Sequence, residues 1–183
     1  MSADPDARAV TGSFHRADGR PATLDGATEQ DTASGGRALR LQCEDGHGHR
    51  QPCAGDLILT LPRHTALRLR QTSGVVVLQG IGGDLSLDAT SVRLTTRGLR
   101  SQHAEVTVVS GSADIGFAAA PADLDVHAAS ASVVVRLPRT DDGYAVTSAG
   151  ASADIRVMVP RDPSAGHRAA FTVSSGSLSV QNT

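Results

Sequence analysis

The sequence has little that would support aromatic or lysine-based chemistry. Its 183 residues include no Trp, one Tyr and three Phe, and all 17 basic residues are Arg. Without Lys there is neither a Schiff-base residue nor a P-loop lysine. The scarcity of aromatic rings disfavours a stacking platform for sugars or single-stranded nucleic acid. The formal net charge of −2 supplies no global field that would attract a polyanion.

Long apolar runs are also missing. No segment approaches the roughly 20 apolar residues that span a bilayer, so we expect no membrane insertion. The first ten residues lack the basic-then-apolar layout of a signal peptide. We therefore expect a cytoplasmic protein if Met1 is the native start. A cell-surface or secreted location is the alternative, because two Cys at the facing ends of adjacent predicted strands favour an oxidising compartment.

The first 36 residues differ in character from the rest of the chain. They are rich in turn-forming and charged residues, and they end at Gly35-Gly36. We interpret residues 1–36 as an irregular, β-rich segment that caps one end of a domain formed by residues 37–183.

The longer part of the chain is an internal repeat. From Thr65 onward, each unit has an alternating apolar strand, a corner of small residues, a second strand and a connector. Corners spaced 17 to 25 residues apart are predicted at Gly74, Ser91, Gly111, Ala131, Ala151 and Gly176. Such a period is typical of stacked coils and predicts an all-β, parallel β-solenoid (β-helix) of about six coils. An antiparallel β-sandwich is the alternative, but the units resemble one another and hairpin signals are largely missing.

Several short motifs of the repeat resemble a known family. The run Leu57–Leu69, which contains Leu-Thr-Leu-Pro, is followed by a Thr-Ser-Gly-Val corner at Thr72–Val75. With the Ser-Gly-Ser corners at Gly111 and Gly176, this pattern resembles the bacterial adhesin-domain family over Leu39–Val180. The resemblance implies a β-solenoid without an established enzyme activity. Ser91 and Ala131 depart from the glycine corner, although both are small.

The one concentration of reactive side chains is a loop between two predicted strands. It contains Cys43, His47, His49 and Cys53. Thiolate and imidazole groups are zinc ligands, but this spacing matches no common zinc ribbon or finger. A disulfide between Cys43 and Cys53 would close the loop and stabilise the chain by about 2–3 kcal/mol. The disulfide is the favoured interpretation, and free thiols or a metal site are the alternatives.

Catalytic signatures are lacking elsewhere. Solenoid enzymes build sites from carboxylates on neighbouring coils, yet the predicted column through Asp114 and Asp154 is interrupted by Val134. No Gly-x-Ser-x-Gly motif surrounds a serine. We therefore predict no catalytic residue and no cofactor.

The end of the predicted stack is the strongest candidate for an interaction. A terminal coil exposes unpaired backbone unless it is capped, and the chain ends soon after the apolar strand that contains Leu178 and Val180. These two residues are the predicted self-association surface. The expected function is a non-catalytic structural module that binds itself or another protein through the open solenoid end. A metal-binding protein or solenoid enzyme that uses the Cys43–Cys53 loop is the alternative.

Overall fold

The protein is built from strands alone in the part that the structure describes. This computed structural model describes residues 1–17, 27–30, 37–40, 43–44, 50–51 and 54–183. The strands, in chain order, are β1 (Ser2–Asp4), β2 (Thr11–Arg16), β3 (Ala27–Gln30), β4 (Arg37–Arg40), β5 (Cys43–Glu44), β6 (Arg50–Gln51), β7 (Gly55–Pro62), β8 (Leu67–Gln79), β9 (Leu85–Leu99), β10 (His103–Phe117), β11 (Asp123–Leu137), β12 (Ala145–Val157) and β13 (Arg168–Asn182).

The chain divides into two compact units. The larger unit consists of Met1–Val10 and Thr60–Thr183, and the smaller one of Thr11–Leu59. This division differs from the predicted boundary after residue 36, since the first ten residues belong to the larger unit. In the smaller unit, β2 lies beside the first half of β7. There too β3 pairs with β4, and β5 with β6, both in antiparallel orientation.

The larger unit is a parallel β-solenoid of about six turns, as the repeat predicts. Each long strand from β8 to β13 forms one coil, and equivalent residues of neighbouring coils pair in register. The inward columns contain the core. Phe117 and Phe171 are among its largest buried side chains, with 2% and 1% exposure.

The bend of each coil is visible in its burial pattern. In β10, Ala104, Val106 and Val108 are buried before the corner, and Ala113 and Ile115 after it. The buried positions change from even to odd numbers, whereas a straight strand would keep one parity. The strand therefore turns between Val108 and Ala113, so that both of its halves face the same core.

One column of paired residues, which we call the corner column, follows this bend through all six coils. In stack order it contains Gly74, Val92, Gly111, Ala131, Gly176 and Ala153. The predicted corners at Ser91 and Ala151 were therefore one and two residues too early. Glycines with φ of 108° to 115° alternate in this column with residues that carry a Cβ atom.

The coils do not follow one another in chain order at the far end of the stack. Strand β13 pairs with β11 on one side and with β12 on the other, so the order is β11, β13, β12. The expectation that the last coil along the chain ends the stack was therefore wrong. Burial explains the order, because β13 carries Phe171 and Val173 inward where β12 has Ser148 and Gly150. Larger apolar side chains gain more free energy between two coils than at an open end.

The other end of the stack contains the N-terminal strand. β1 lies between β7 and β8, where Ser2 pairs with Thr60 and with Gln79. The Met1 amino group donates to the Val77 carbonyl oxygen at 2.7 Å. Residues 2–4, which the sequence placed in a cap, are thus a strand within the stack.

Candidate interaction surface

The outermost coil of the stack, β12, has one unpaired backbone edge. Its 13 residues, Ala145–Val157, pair on one side with β13. Within the described residues of the larger unit, no strand pairs with its other side. We call this surface the β12 edge. It is the longest strand at either end of this sheet, and unpaired edges of that length are templates for further pairing.

The side chains of β12 are small and mostly polar. Residues 147–152 are all exposed, and their sequence is Thr-Ser-Ala-Gly-Ala-Ser. The Cδ1 atom of Ile155 lies 2.8 Å from the place that a Cβ atom on Gly150 would occupy. Ile155 therefore reaches across the interior and fills the space that the small residues leave. The larger apolar side chains of the strand, Val146, Ile155 and Val157, are half-buried.

The backbone groups of the β12 edge can be assigned from the hydrogen bonds at its two limits. The Ala145 N–H donates to the His167 carbonyl oxygen, and the Met158 N–H donates to the Val180 carbonyl oxygen, both at 2.8 Å. Successive residues of a strand direct their N–H and C=O groups to alternate sides. The groups that face away from β13 therefore belong to Val146, Ser148 and Gly150 before the corner, and to Ala153, Ile155 and Val157 after it.

The connectors on both sides of β12 hold it in place around one buried ring. Tyr144 is fully buried, and its hydroxyl donates to the Pro138 carbonyl oxygen at 2.7 Å. Its N–H donates to the Pro160 carbonyl oxygen at 3.0 Å, and its ring centroid lies 5.8 Å from that of His167. Burial raises the pKa of Tyr144 to about 12. These contacts tie residues 138–144 to residues 158–167 and so determine where β12 enters and leaves the stack.

A column of serines runs beside the corner column. It contains Ser73, Ser91, Ser110, Ser130, Ser175 and Ser152. The Oγ atoms of Ser91 and Ser110 are 3.1 Å apart, as are those of Ser130 and Ser175. Two neighbouring pairs of hydroxyls thus bond to each other, and the column ends at Ser152 on the outermost coil.

Charge is distributed unevenly along the stack. Residues 60–102 contain six Arg and two Asp, whereas residues 103–183 contain five Arg and eight Asp or Glu. Three of these eight carboxylates pair with an arginine. Arg156 is 2.9 Å from Asp154, Arg168 is 2.7 Å from Asp123, and Arg136 pairs with Asp114. The outer coil therefore presents a compensated charge pair.

The residues predicted for self-association lie inside the stack. Leu178 is 1% exposed and Val180 is fully buried, because β13 has a neighbour on both edges. The open end that the sequence predicted is formed instead by β12. The low apolar content of residues 147–152 was the available signal, since an outermost coil has no second neighbour to bury large side chains.

The Cys and His residues of the predicted loop are only partly accounted for. Cys43 belongs to β5 and its backbone pairs with Gln51. His47, His49 and Cys53, together with the Cys43 side chain, lie outside the described residues. The disulfide and the alternative zinc site therefore stay predictions.

The two aspartates considered as a carboxylate column are not in one column. Asp114 pairs with Val134, as expected, but Asp154 pairs with Ser177 in a different column. Across the described residues, no group of three or more His, Cys, Asp or Glu side chains is arranged to hold a metal ion.

No family model, curated protein or solved structure matches this chain. In the part of the chain that the structure describes, no helix has the length and apolar character needed to cross a membrane.

Proposed function

We propose that this protein is a non-catalytic structural module whose solenoid associates with protein through the β12 edge. The observation that carries the proposal is the unpaired backbone of a 13-residue strand at the end of a regular parallel stack. Strand addition to such an edge forms main-chain hydrogen bonds without a dedicated pocket.

The residues of the β12 edge favour association, because the edge lacks the features that usually block pairing with another strand. Proteins usually guard an exposed edge with Pro, Lys, a bulge or a covering loop. β12 contains no Pro, and its only charged residues, Asp154 and Arg156, pair with each other. The motifs that resemble bacterial adhesin domains support a structural role as well.

The proposal is tested by light scattering over a concentration series, with metal content and free thiols assayed on the same sample. Mass that rises with concentration in metal-free protein is the expected result. A strict monomer that carries stoichiometric zinc would contradict the proposal. Such a monomer would favour the alternative, a metal site formed by Cys43, His47, His49 and Cys53.

A further inference from the structure

The geometry of the β12 edge points to a specific partner: we infer that it pairs with the β12 edge of a second copy of this chain, antiparallel and around a two-fold axis. This inference rests on the proposed function and specifies it. The axis passes through the corner, between Ala151 and Ser152, so that the first half of one β12 lies along the second half of the other.

The edge is complementary to itself in this register. Antiparallel strands exchange both hydrogen bonds between residues that face each other. The register places Val146 opposite Val157 of the second copy, Ser148 opposite Ile155, and Gly150 opposite Ala153. All six of these residues direct their N–H and C=O groups away from β13, so every pair can exchange two hydrogen bonds.

The side chains are compatible in the same register. The six residues that pair through their backbones all belong to the inward columns of the coil. The inward columns of the two copies are therefore continuous across the junction, with Val146 against Val157. On the outer face, Thr147 lies opposite Arg156 and Ala149 opposite Asp154. No like charges face each other directly, which would destabilise a cross-strand pair.

The opposite end of the stack is unsuited to receive β12 in a head-to-tail chain. Beyond β8, strands β1 and β7 already occupy the positions beside its last residues. The Met1 amino group bonds to Val77, and Gln79 bonds to Met1 at 3.0 Å. A coil stacked on β8 would collide with Met1. An isologous pair buries the β12 edges of both copies, so neither β12 edge is left to add a further chain and the assembly stops at two chains.

Two variants of Ser148 test the backbone pairing. Its N–H faces the open edge, and proline is tolerated at an edge strand where no hydrogen bond to the sheet is lost. Ser148→Pro removes two donors per dimer, one from each copy. We expect the dimer dissociation constant to rise by at least about 30-fold, from roughly 1 kcal/mol for each lost bond. Ser148→Ala keeps the donor and should dimerise like the parent. The urea midpoints of both variants, measured at concentrations where the parent is monomeric, check that the coil still folds.

A cysteine pair tests the register. Ala149→Cys combined with Asp154→Cys places two thiols opposite each other at each of two symmetric positions. Mild oxidation should yield a covalent dimer on a non-reducing gel. Each single variant and the parent, which keeps Cys43 and Cys53, serve as controls and should give far less. Sedimentation of the parent should plateau at two chains of 18.8 kDa each.

The outcomes separate the inference from the proposed function. Mass that grows beyond two chains would overturn the two-fold pairing and leave association through the edge in place. The same holds for a dimer that Ser148→Pro dissociates but the cysteine pair does not trap. A dimer insensitive to Ser148→Pro, or a monomer at every concentration, would overturn both.

Discussion

Replacing Gly111 with Ala should destabilise the solenoid far more than the same change at Gly74. Both glycines lie in the corner column, with φ of 109° and 115°, a region that disfavours side chains. They differ in what lies beside them. A Cβ atom on Gly111 would press into the Val92 carbonyl oxygen of the neighbouring coil, whereas one on Gly74 would meet only the Gln71 amide nitrogen at 3.7 Å.

The expected magnitudes follow from these two terms. Backbone strain of a non-glycine residue at such a φ costs about 1–3 kcal/mol, and both variants carry it. The collision with a backbone carbonyl adds roughly 1–3 kcal/mol, typical of overpacking, and only Gly111→Ala carries it. We expect the free energy of unfolding to fall by about 2–6 kcal/mol for Gly111→Ala and by about 1–3 kcal/mol for Gly74→Ala.

Urea unfolding followed by circular dichroism measures both values. Gly176→Ala repeats the test, because its Cβ atom would press into the Ala131 carbonyl oxygen in the same way. A Cβ atom on Gly166 would meet nothing within 4 Å, and the φ of Gly166 is not left-handed. Gly166→Ala should therefore change stability by less than about 0.5 kcal/mol. Equal losses at Gly74 and Gly111 would refute the view that close stacking at the corner selects glycine.

Three further predictions concern buried side chains. Tyr144→Phe removes the hydroxyl that bonds to Pro138, and it should lower the free energy of unfolding by about 1–2 kcal/mol. Because the folded pKa of Tyr144 is raised to about 12, its stabilising contribution is complete below pH 10 and is lost as the pH rises from 10 to 12, at up to about 1.4 kcal/mol per pH unit. Tyr144 is the only tyrosine, so absorbance of the ionised phenol reports it directly; a titration midpoint near 10 in the folded protein would contradict the burial argument. Phe171→Ala should cost about 3–5 kcal/mol by urea unfolding. Ser148 occupies the same column in the adjacent outer coil, and Ser148→Ala should lower the free energy of unfolding by less than about 0.5 kcal/mol. Equal losses for Phe171→Ala and Ser148→Ala would contradict the view that β13 is an inner coil and β12 the outermost one.

The architecture was predictable because a solenoid repeats its local rules. Period-two alternation, small residues at regular spacing and prolines after strands all recur along this chain, and together they predict parallel stacking. The error at the corners was small for the same reason. Ser91 and Val92 are adjacent, and only the change of burial parity in the folded strand shows that Val92 occupies the corner column.

The order of the coils was harder to predict, and with it the location of the open end. Every coil of this repeat carries a similar alternation, so the local pattern does not specify which coils are neighbours. The order of the coils depends on which inward side chains gain the most free energy from burial between two neighbouring coils. Phe171 in β13 and Ser148 in β12 differ in this respect, and comparing whole coils by apolar volume would have placed β12 outside. Leu178 and Val180 belong to the last strand along the chain, but chain order does not determine the place of a coil in the stack.

Strand β13 leaves the ribosome after β12, yet it lies between β12 and β11. A stack that grew one coil at a time from the N-terminus would lay β12 directly on β11 and would leave no gap for the next strand. During synthesis, β12 must therefore either wait unpaired or pair with β11 for a time and then give way. Hydrogen exchange on ribosome-bound chains stalled after β12 would distinguish these routes, because only the second protects β12 amides before β13 has been made. In either case, the final order of the coils cannot form until β13 has been made.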